Sequence, residues 1–345
     1  MAHILVTGGA GFIGSNFVHY IKKNFPDYKV TVLDSLTYAG SVDNLITEMR
    51  ELEHPLYRFW YGDVLNADLV DTLVREATHI VHFAAETHVT RSIFDNRLFF
   101  QTDVLGTQTI ANAVLKHRES VERFIHISTS EVYGSAETKL MSEEHPLNPM
   151  SPYASAKCGA DRLVYSYWAT YKLPVTIIRP FNNFGPRQHL EKVIPRFITS
   201  VIMEESLTLH GKGDSARDFV HVDDTSRAID AVIHAEDDLV NGEVFNVASG
   251  VDRPIKEIAA NILNVMDANY ASKILYSGDR PGQVLRHTGD YQKINQVLGW
   301  SPTVSWEQGI ADTIRWYKEN ASWWEKNIWM RHIPIKTSDG TIEFH

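Results

Sequence analysis

The 345-residue chain has a single cysteine, Cys158. That excludes an internal disulfide and fits a reducing compartment. No activating motif surrounds Cys158, so it reads as a small packing residue. Long apolar runs are missing as well: nothing approaches the roughly 18 residues that a membrane span needs. The first strand begins at about His3, which leaves no room for a signal peptide. The expectation is a soluble, cytoplasmic protein, in which the sequon Asn320-Ala321-Ser322 carries no meaning. An excess of basic charge is absent too. The net charge of -10 argues against nucleic acid as the main partner. It leaves room for an anionic ligand, because a local site can oppose the global charge. The 16 histidines show no metal spacing, with no His-Glu-x-x-His and no second cysteine. No Gly-x-Ser-x-Gly nucleophile elbow occurs, and no internal repeat.

What is present is a rhythm of short apolar strands and helical patterns. The length suggests about two domains. His3-Ile4-Leu5-Val6 runs into Thr7-Gly8-Gly9-Ala10-Gly11-Phe12-Ile13-Gly14 and then a helical pattern through Ile21. Gly8, Gly11 and Gly14 fit a tight strand-to-helix turn, with a pyrophosphate at the helix N-terminus. Val30 to Leu33 is a second strand, ending in Asp34, 20 residues beyond Gly14. A carboxylate there binds an adenosine ribose and disfavours a 2'-phosphate, so NAD is preferred over NADP. Phe59 to Gly62 is a third strand, followed by Asp63-Val64, where an adenine-edge contact is expected. His79 to Ala85 is a fourth, where Ala84 and Ala85 permit close cofactor approach, and a long helix over about 103–117 follows. Strands alternating with helices predict an α/β, doubly wound parallel sheet. After the strand Val175 to Arg179 comes the loop Pro180 to Pro186, and the rhythm stops. This predicts a dinucleotide-binding Rossmann domain over 1–180, with segments near 219–247 packing back onto it. A smaller mixed domain over 181–330 and a tail over 331–345 follow. Trp323, Trp324 and Trp329 are expected to pack the C-terminal region against the body.

The densest chemistry lies between Ile125 and Lys157. A buried strand ends in Ser128-Thr129-Ser130-Glu131-Val132-Tyr133-Gly134, at the end of a parallel sheet where ligands bind. Ser151-Pro152 suits a helix start, and a spacing of four puts Tyr153 and Lys157 on one helix face. A lysine ammonium beside a phenol favours the phenolate, so Tyr153 is expected to titrate nearer neutrality than a free tyrosine. A hydroxyl, a carboxylate and such a phenol suggest proton abstraction coupled to hydride transfer.

Three stretches, Thr7 to Gly14, Ser128 to Gly134 and Tyr153 to Lys157, resemble the extended short-chain dehydrogenase/reductase family. Asp34 to Gly40, Ala84 to Ile93, Asn182 to Pro195, Gly213 to Asp218 and Asp279 to Gly282 are similar to the dTDP-glucose 4,6-dehydratases within it. The similarity runs from residue 3 to about 325. It implies NAD as cofactor, a nucleotide-diphosphate hexose as substrate and a homodimer joined through the helices near 103–117 and 153–171. Ala156, Ala160, Leu163, Val164 and Tyr167 would form the stripe at that contact. Tyr153, aided by Lys157, would take the 4-hydroxyl proton, Thr129 would bond the same oxygen, and Glu131 would abstract the C5 proton. The implied cofactor residues add Phe12, Ile13, Thr102 and Ser128 to those above. The implied substrate residues are His88, Asn183, Lys192, Val193, Arg217, Asn246, Asp279, Arg280 and Gln283. Three positions depart: Ser130 and Thr90 where the dTDP-glucose enzymes have Asp, and Asp103 where they have Asn. GDP-mannose 4,6-dehydratases and UDP-glucuronate decarboxylases carry a similar Thr-Ser-Glu. The leading reading is a nucleotide-sugar 4,6-dehydratase, with UDP-glucuronate decarboxylase or nucleotide-sugar 4-epimerase as the alternative; Glu131, which a 4-epimerase does not require, stands against epimerase, and Thr129, Tyr153 and Lys157 together stand against a redox-sensing NAD-binding module.

Overall fold

The structure is a computed structural model that describes residues 2–51, 53–268, 274–278, 284–331, 334–336 and 341–344. Six strands lead the fold: β1 His3–Thr7, β2 Lys29–Asp34, β3 Tyr57–Tyr61, β4 His79–His82, β5 Arg123–Ile127 and β6 Val175–Pro180. With the strand Val244–Val247 they form one parallel sheet, ordered Val244–Val247, β6, β5, β4, β1, β2, β3. Helices cover both faces, which is why β1, β4, β5 and β6 are buried along their whole length. Ile4 and Val6 point to one core, with Phe17, Val18 and Ile21 of the helix Phe12–Asn24 and Ile229 and Val232 of the helix Val222–Ile233. Leu5 points to the other, with Val70, Ile110 and Val164 from the helices Ala67–Glu76, Thr107–Lys116 and Pro152–Tyr171. The strand order reverses between β1 and β4, and the crevice beyond their C-terminal ends is the ligand position of such sheets.

The rest of the chain builds a second layer over that crevice. Asn182–Phe184, Asp252–Pro254 and Arg286–His287 all pair with the strand Ala216–His221. A separate core gathers Phe184, Phe197, Ile262, Trp306, Tyr317 and Trp324 beneath them. Trp324 donates to Tyr317 O at 2.8 Å, and Trp323 donates to Asn44 Oδ1 at 2.8 Å. Trp329 is 66% exposed and does not pack as expected. Among the described residues no helix is long and apolar enough to cross a membrane.

Two local expectations change. The helix over 103–117 opens with a π-helical segment, Phe100–Gly106, before the α-helix Thr107–Lys116. Such wide turns concentrate at functional sites, and this one carries Asp103. The stripe expected at an interface is buried inside the chain: Ala156, Ala160 and Val164 have no exposure, and Leu163 and Tyr167 join the second core. Exposed apolar side chains nearby include Ile93, Phe94, Leu98, Phe100 and Leu105.

Candidate active site

The crevice is a cavity of about 450 Å³. On its floor Gly8 has φ +70°, and a Cβ there would lie 2.6 Å from Ala84 N. A Cβ on Gly14 would lie 2.4 Å from Gly8 O. Only glycine lets this turn close on β4 and leave its backbone bare toward the cavity. At the end of β2, Asp34 accepts from Ala10 N at 2.9 Å and Leu36 N at 2.8 Å. Burial pushes its carboxyl up, and these two bonds oppose the rise. A bare glycine turn at a helix start, with a carboxylate at the tip of the next strand, fits the pyrophosphate and adenosine ribose of NAD. Phe12, Ile13, Gly11, Asp63, Val64, Ala85 and Thr102 line the same cavity.

At the far end, β5 delivers Ser128 and Thr129. Thr129 Oγ1 accepts from Glu131 N at 3.2 Å and caps the short turn Ser130–Tyr133. Ser151 caps the next helix by accepting from Ala154 N at 3.1 Å, with Pro152 in its first turn. That helix carries Tyr153, which lines the cavity with Thr129, and Lys157, whose Nζ donates to Ile127 O at 2.7 Å. All five candidate catalytic residues line one cavity. The phenol does not behave as expected. Burial pushes Tyr153 well above its ordinary value, the charges of Asp103 and Glu131 add to that, and only the Thr129 hydroxyl opposes it. Burial likewise pushes Lys157 down, against the pull of Asp103 and Asp161. Asp103 Oδ1 accepts from Glu86 N at 2.7 Å, and Oδ2 has no partner among the described residues. Burial lifts this carboxyl to about 7, with Lys157 opposing.

The substrate candidates divide. His88, Asn183, Lys192, Val193 and Arg217 line the cavity. His88 holds φ +111°, a conformation a non-glycine residue keeps only where its surroundings impose it. Lys192 and Val193 stand at the N-terminus of the helix Val193–Ile202, whose free N–H groups suit a phosphate. Asn183 lines the cavity while its amide bonds Phe181 O at 3.0 Å and Thr225 Oγ1 at 2.6 Å. Asn246 is a correction: it is fully buried and does not line the cavity. It accepts from Tyr133 OH at 2.7 Å and donates to Met141 O at 3.0 Å. Tyr133 in turn accepts from Arg179, which holds Asp161 through two bonds of 2.9 Å. Asn246 thus ends a buried brace under the turn that carries Glu131. Asp279, Arg280 and Gln283 lie outside the described residues.

Four contributors, Glu191, Arg91, Tyr38 and His287, were not foreseen from sequence. Glu191, its side chain unexposed, accepts from Arg91 Nε and Tyr38 OH, each at 3.1 Å, with Lys192 Nζ at 3.6 Å. Arg91 also stacks on the Tyr38 ring at 4.2 Å. This clasp ties the loop after β2 and the segment after β4 to the second layer. Its signal was the acid inside the Asn182 to Pro195 stretch, but an acid beside a lysine usually reads as a solvated pair. His287, buried behind Glu131, had no sequence signal.

The chain matches the family described as GDP-mannose 4,6 dehydratase over residues 5–313. It is 41% identical over 342 residues to a dTDP-glucose 4,6-dehydratase of Streptomyces niveus, covering 97% of this chain and 96% of that one. It is 45% identical over 314 residues to the low-salt glycan biosynthesis protein Agl12 of Haloferax volcanii, covering 91% and 98%. Among solved structures it is similar to the dTDP-glucose 4,6-dehydratase DesIV of Streptomyces venezuelae, solved with NAD bound. There the TM-score is 0.87 at 41% identity, with 94% and 99% of the two chains covered. With the glycine turn, the Thr129 to Glu131 turn and the Tyr153–Lys157 helix around one cavity, the chain belongs to the GDP-mannose 4,6 dehydratase family.

Proposed function

We propose that the protein is an NAD-dependent nucleotide-sugar 4,6-dehydratase of the dTDP-glucose type, yielding an NDP-4-keto-6-deoxyhexose. The observation that carries this reading is Glu131 in the same cavity as Thr129, Tyr153 and Lys157. A 4-epimerase needs the last three and has no use for a carboxylate base. Bound NAD supplies a hydride acceptor that later gives the hydride back. Thr129 orients the 4-hydroxyl, and Tyr153 takes its proton, for which the positive charges of the bound nicotinamide ring and of Lys157 would have to offset the burial that pushes the phenol up. The resulting 4-ketone makes the C5 proton acidic, and Glu131 is placed to remove it. Water then leaves from C6. Gly8, Gly11, Gly14, Asp34 and the cavity wall from Asp63 to Ala85 hold the cofactor. His88, Asn183, Lys192, Val193 and Arg217 hold the sugar diphosphate. We assign residues 1–180, with the returning segment near 219–247, to the cofactor layer, 181–330 to the substrate layer and 331–345 to a tail. The chain works as a homodimer.

The test is incubation with a panel of nucleotide sugars and mass analysis of the products. Loss of water from dTDP-glucose is expected. Loss of carbon dioxide from UDP-glucuronate, or a product of unchanged mass, would replace this reading with decarboxylation or epimerisation.

A further inference from the structure

The second layer places a histidine directly behind the candidate base. His287 pairs with Arg217 in the register of the strand Ala216–His221 and has no solvent exposure. Its Nε2 forms a short hydrogen bond with the carbonyl oxygen of Gly134. A carbonyl only accepts, so Nε2 carries a proton. Burial holds the ring below the ordinary histidine range, against the opposing charge of Glu131. A neutral ring has one N–H, so Nδ1 is a bare lone pair. Nδ1 has no hydrogen-bond partner among the described residues, and Glu131 Oε1 stands 3.9 Å away. The other charged or titratable groups that act on the ring are Arg217 and His145. Phe181 lies edge-on to it at 6.3 Å. The adjacent Arg286 turns away to Lys139 O and Thr138 O.

A bare nitrogen and a carboxylate are both acceptors, so no bond joins them while Glu131 is ionised. The situation reverses once Glu131 holds a proton. We propose that His287 is the positioning residue for the elimination step: its bare Nδ1 accepts a hydrogen bond from Glu131 only after Glu131 has taken the C5 proton. This inference rests on the dehydratase reading above. In the step, the C5–H bond breaks and its proton goes to Glu131. The electron pair left on C5 forms the C5–C6 double bond. The C6–O bond breaks, and the departing oxygen takes the proton from Glu131 and leaves as water. His287 stabilises the acid between those two transfers, raising the proton affinity of the base without entering the covalent chemistry. It supplies to Glu131 the support that an acid at position 130 would otherwise make unnecessary.

His287→Gln keeps a side-chain N–H for Gly134 and removes the bare nitrogen. On rapid mixing with dTDP-glucose, reduction of bound NAD should proceed at the native rate. Water loss should slow roughly tenfold, about the worth of one hydrogen bond, so reduced cofactor accumulates. Unchanged water loss with no accumulation of reduced cofactor would overturn the proposal. The native protein with 15N-labelled histidine gives a second reading that needs no folded variant at 287. One imidazole should show a protonated Nε2 and a bare Nδ1, with its Nδ1 signal moved by Glu131→Gln. A proton on Nδ1, or no response to Glu131→Gln, sinks the proposal. Failure of the native enzyme to reduce its cofactor or lose water with dTDP-glucose would instead reject the dehydratase reading. The histidine spectrum would still decide the tautomer.

Discussion

Ser130 is 2% exposed, and its hydroxyl is too weak an acid near pH 7 to protonate a leaving hydroxyl. Glu131, once it has taken the C5 proton, is a neutral carboxylic acid one bond from C6. Ser130→Ala removes at most one neutral hydrogen bond of about 0.5–1.5 kcal/mol, so turnover should slow about tenfold or less. Glu131→Gln removes base and acid together and should cost at least about a hundredfold. Its C4 oxidation should survive, so steady-state assays and cofactor absorbance together separate the two steps. A Ser130→Ala enzyme as dead as Glu131→Gln would contradict these roles. Asp34 carries a second expectation at this scale. Its buried carboxylate repels a 2'-phosphate, so nucleotide released on denaturing the purified protein should be NAD; mainly NADP would reverse the assignment. Sequence named these residues but not their states. Tyr153 and Lys157 sit at the expected spacing, yet the phenol rises where a neighbouring ammonium alone would lower it. Burial and Asp103 decide that, and neither is visible in a spacing of four.

The elements with their own local chemistry were the legible ones. The glycine turn, Asp34 at the end of β2 and the Ser151-Pro152 helix start each state their geometry within a few residues. The clasp around Glu191 does not, because its partners Tyr38 and Arg91 are 100 or more positions away. Its contribution has a definite pH signature. Burial by itself would raise the Glu191 carboxyl, but the charges of Lys192, His88, His189 and Arg91 outweigh that and hold it at about 2. The folded value lies below the ordinary 4.5, so the stabilisation is complete above about 4.5 and is lost as pH falls toward 2. Arg91 and Lys192 are each about a third exposed, which discounts the pair to about 1–2 kcal/mol. Glu191→Gln should therefore lower the melting temperature by a few degrees at pH 7, with the gap closing on acidification. A gap that stays constant from pH 7 to pH 3 would show that the clasp holds no ionised carboxylate. The π-helical segment was illegible for a related reason. Its residues form a good α-helix pattern, and the segment that buries Asp103 packs against the helix Pro152–Tyr171, a contact far away in sequence.

Across the whole molecule, alternation of strand and helix was enough to give the sheet, because parallel strands buried on both faces leave continuous apolar runs. The second layer was not readable, since its short strands pair across long separations and none has a period long enough to stand out. The stripe that the sequence offered for a homodimer contact is already covered within the single chain. An apolar stripe at helical spacing says that one face is covered, and Val164 and Tyr167 show that the cover is the chain's own sheet and neighbouring helices. The surface that needs another explanation is the run from Ile93 to Leu105. Ile93, Phe94, Leu98, Phe100 and Leu105 are each between 42% and 50% exposed. Five large apolar side chains within so short a stretch are more than scattered surface residues, and such patches mark contact sites. The same stretch ends in the segment that positions Asp103, so a partner covering it would also steady the floor beneath Lys157. Light scattering at micromolar concentration should give twice the 39.2 kDa of one chain. Leu98→Glu with Leu105→Glu puts two charges where water is excluded, and the dissociation constant should rise at least about a hundredfold, roughly 1.4 kcal/mol per decade. Far-UV circular dichroism should stay unchanged, because both side chains are exposed within the single chain. A monomeric native protein, or a double variant that remains dimeric, would move the contact elsewhere and leave this patch to another partner.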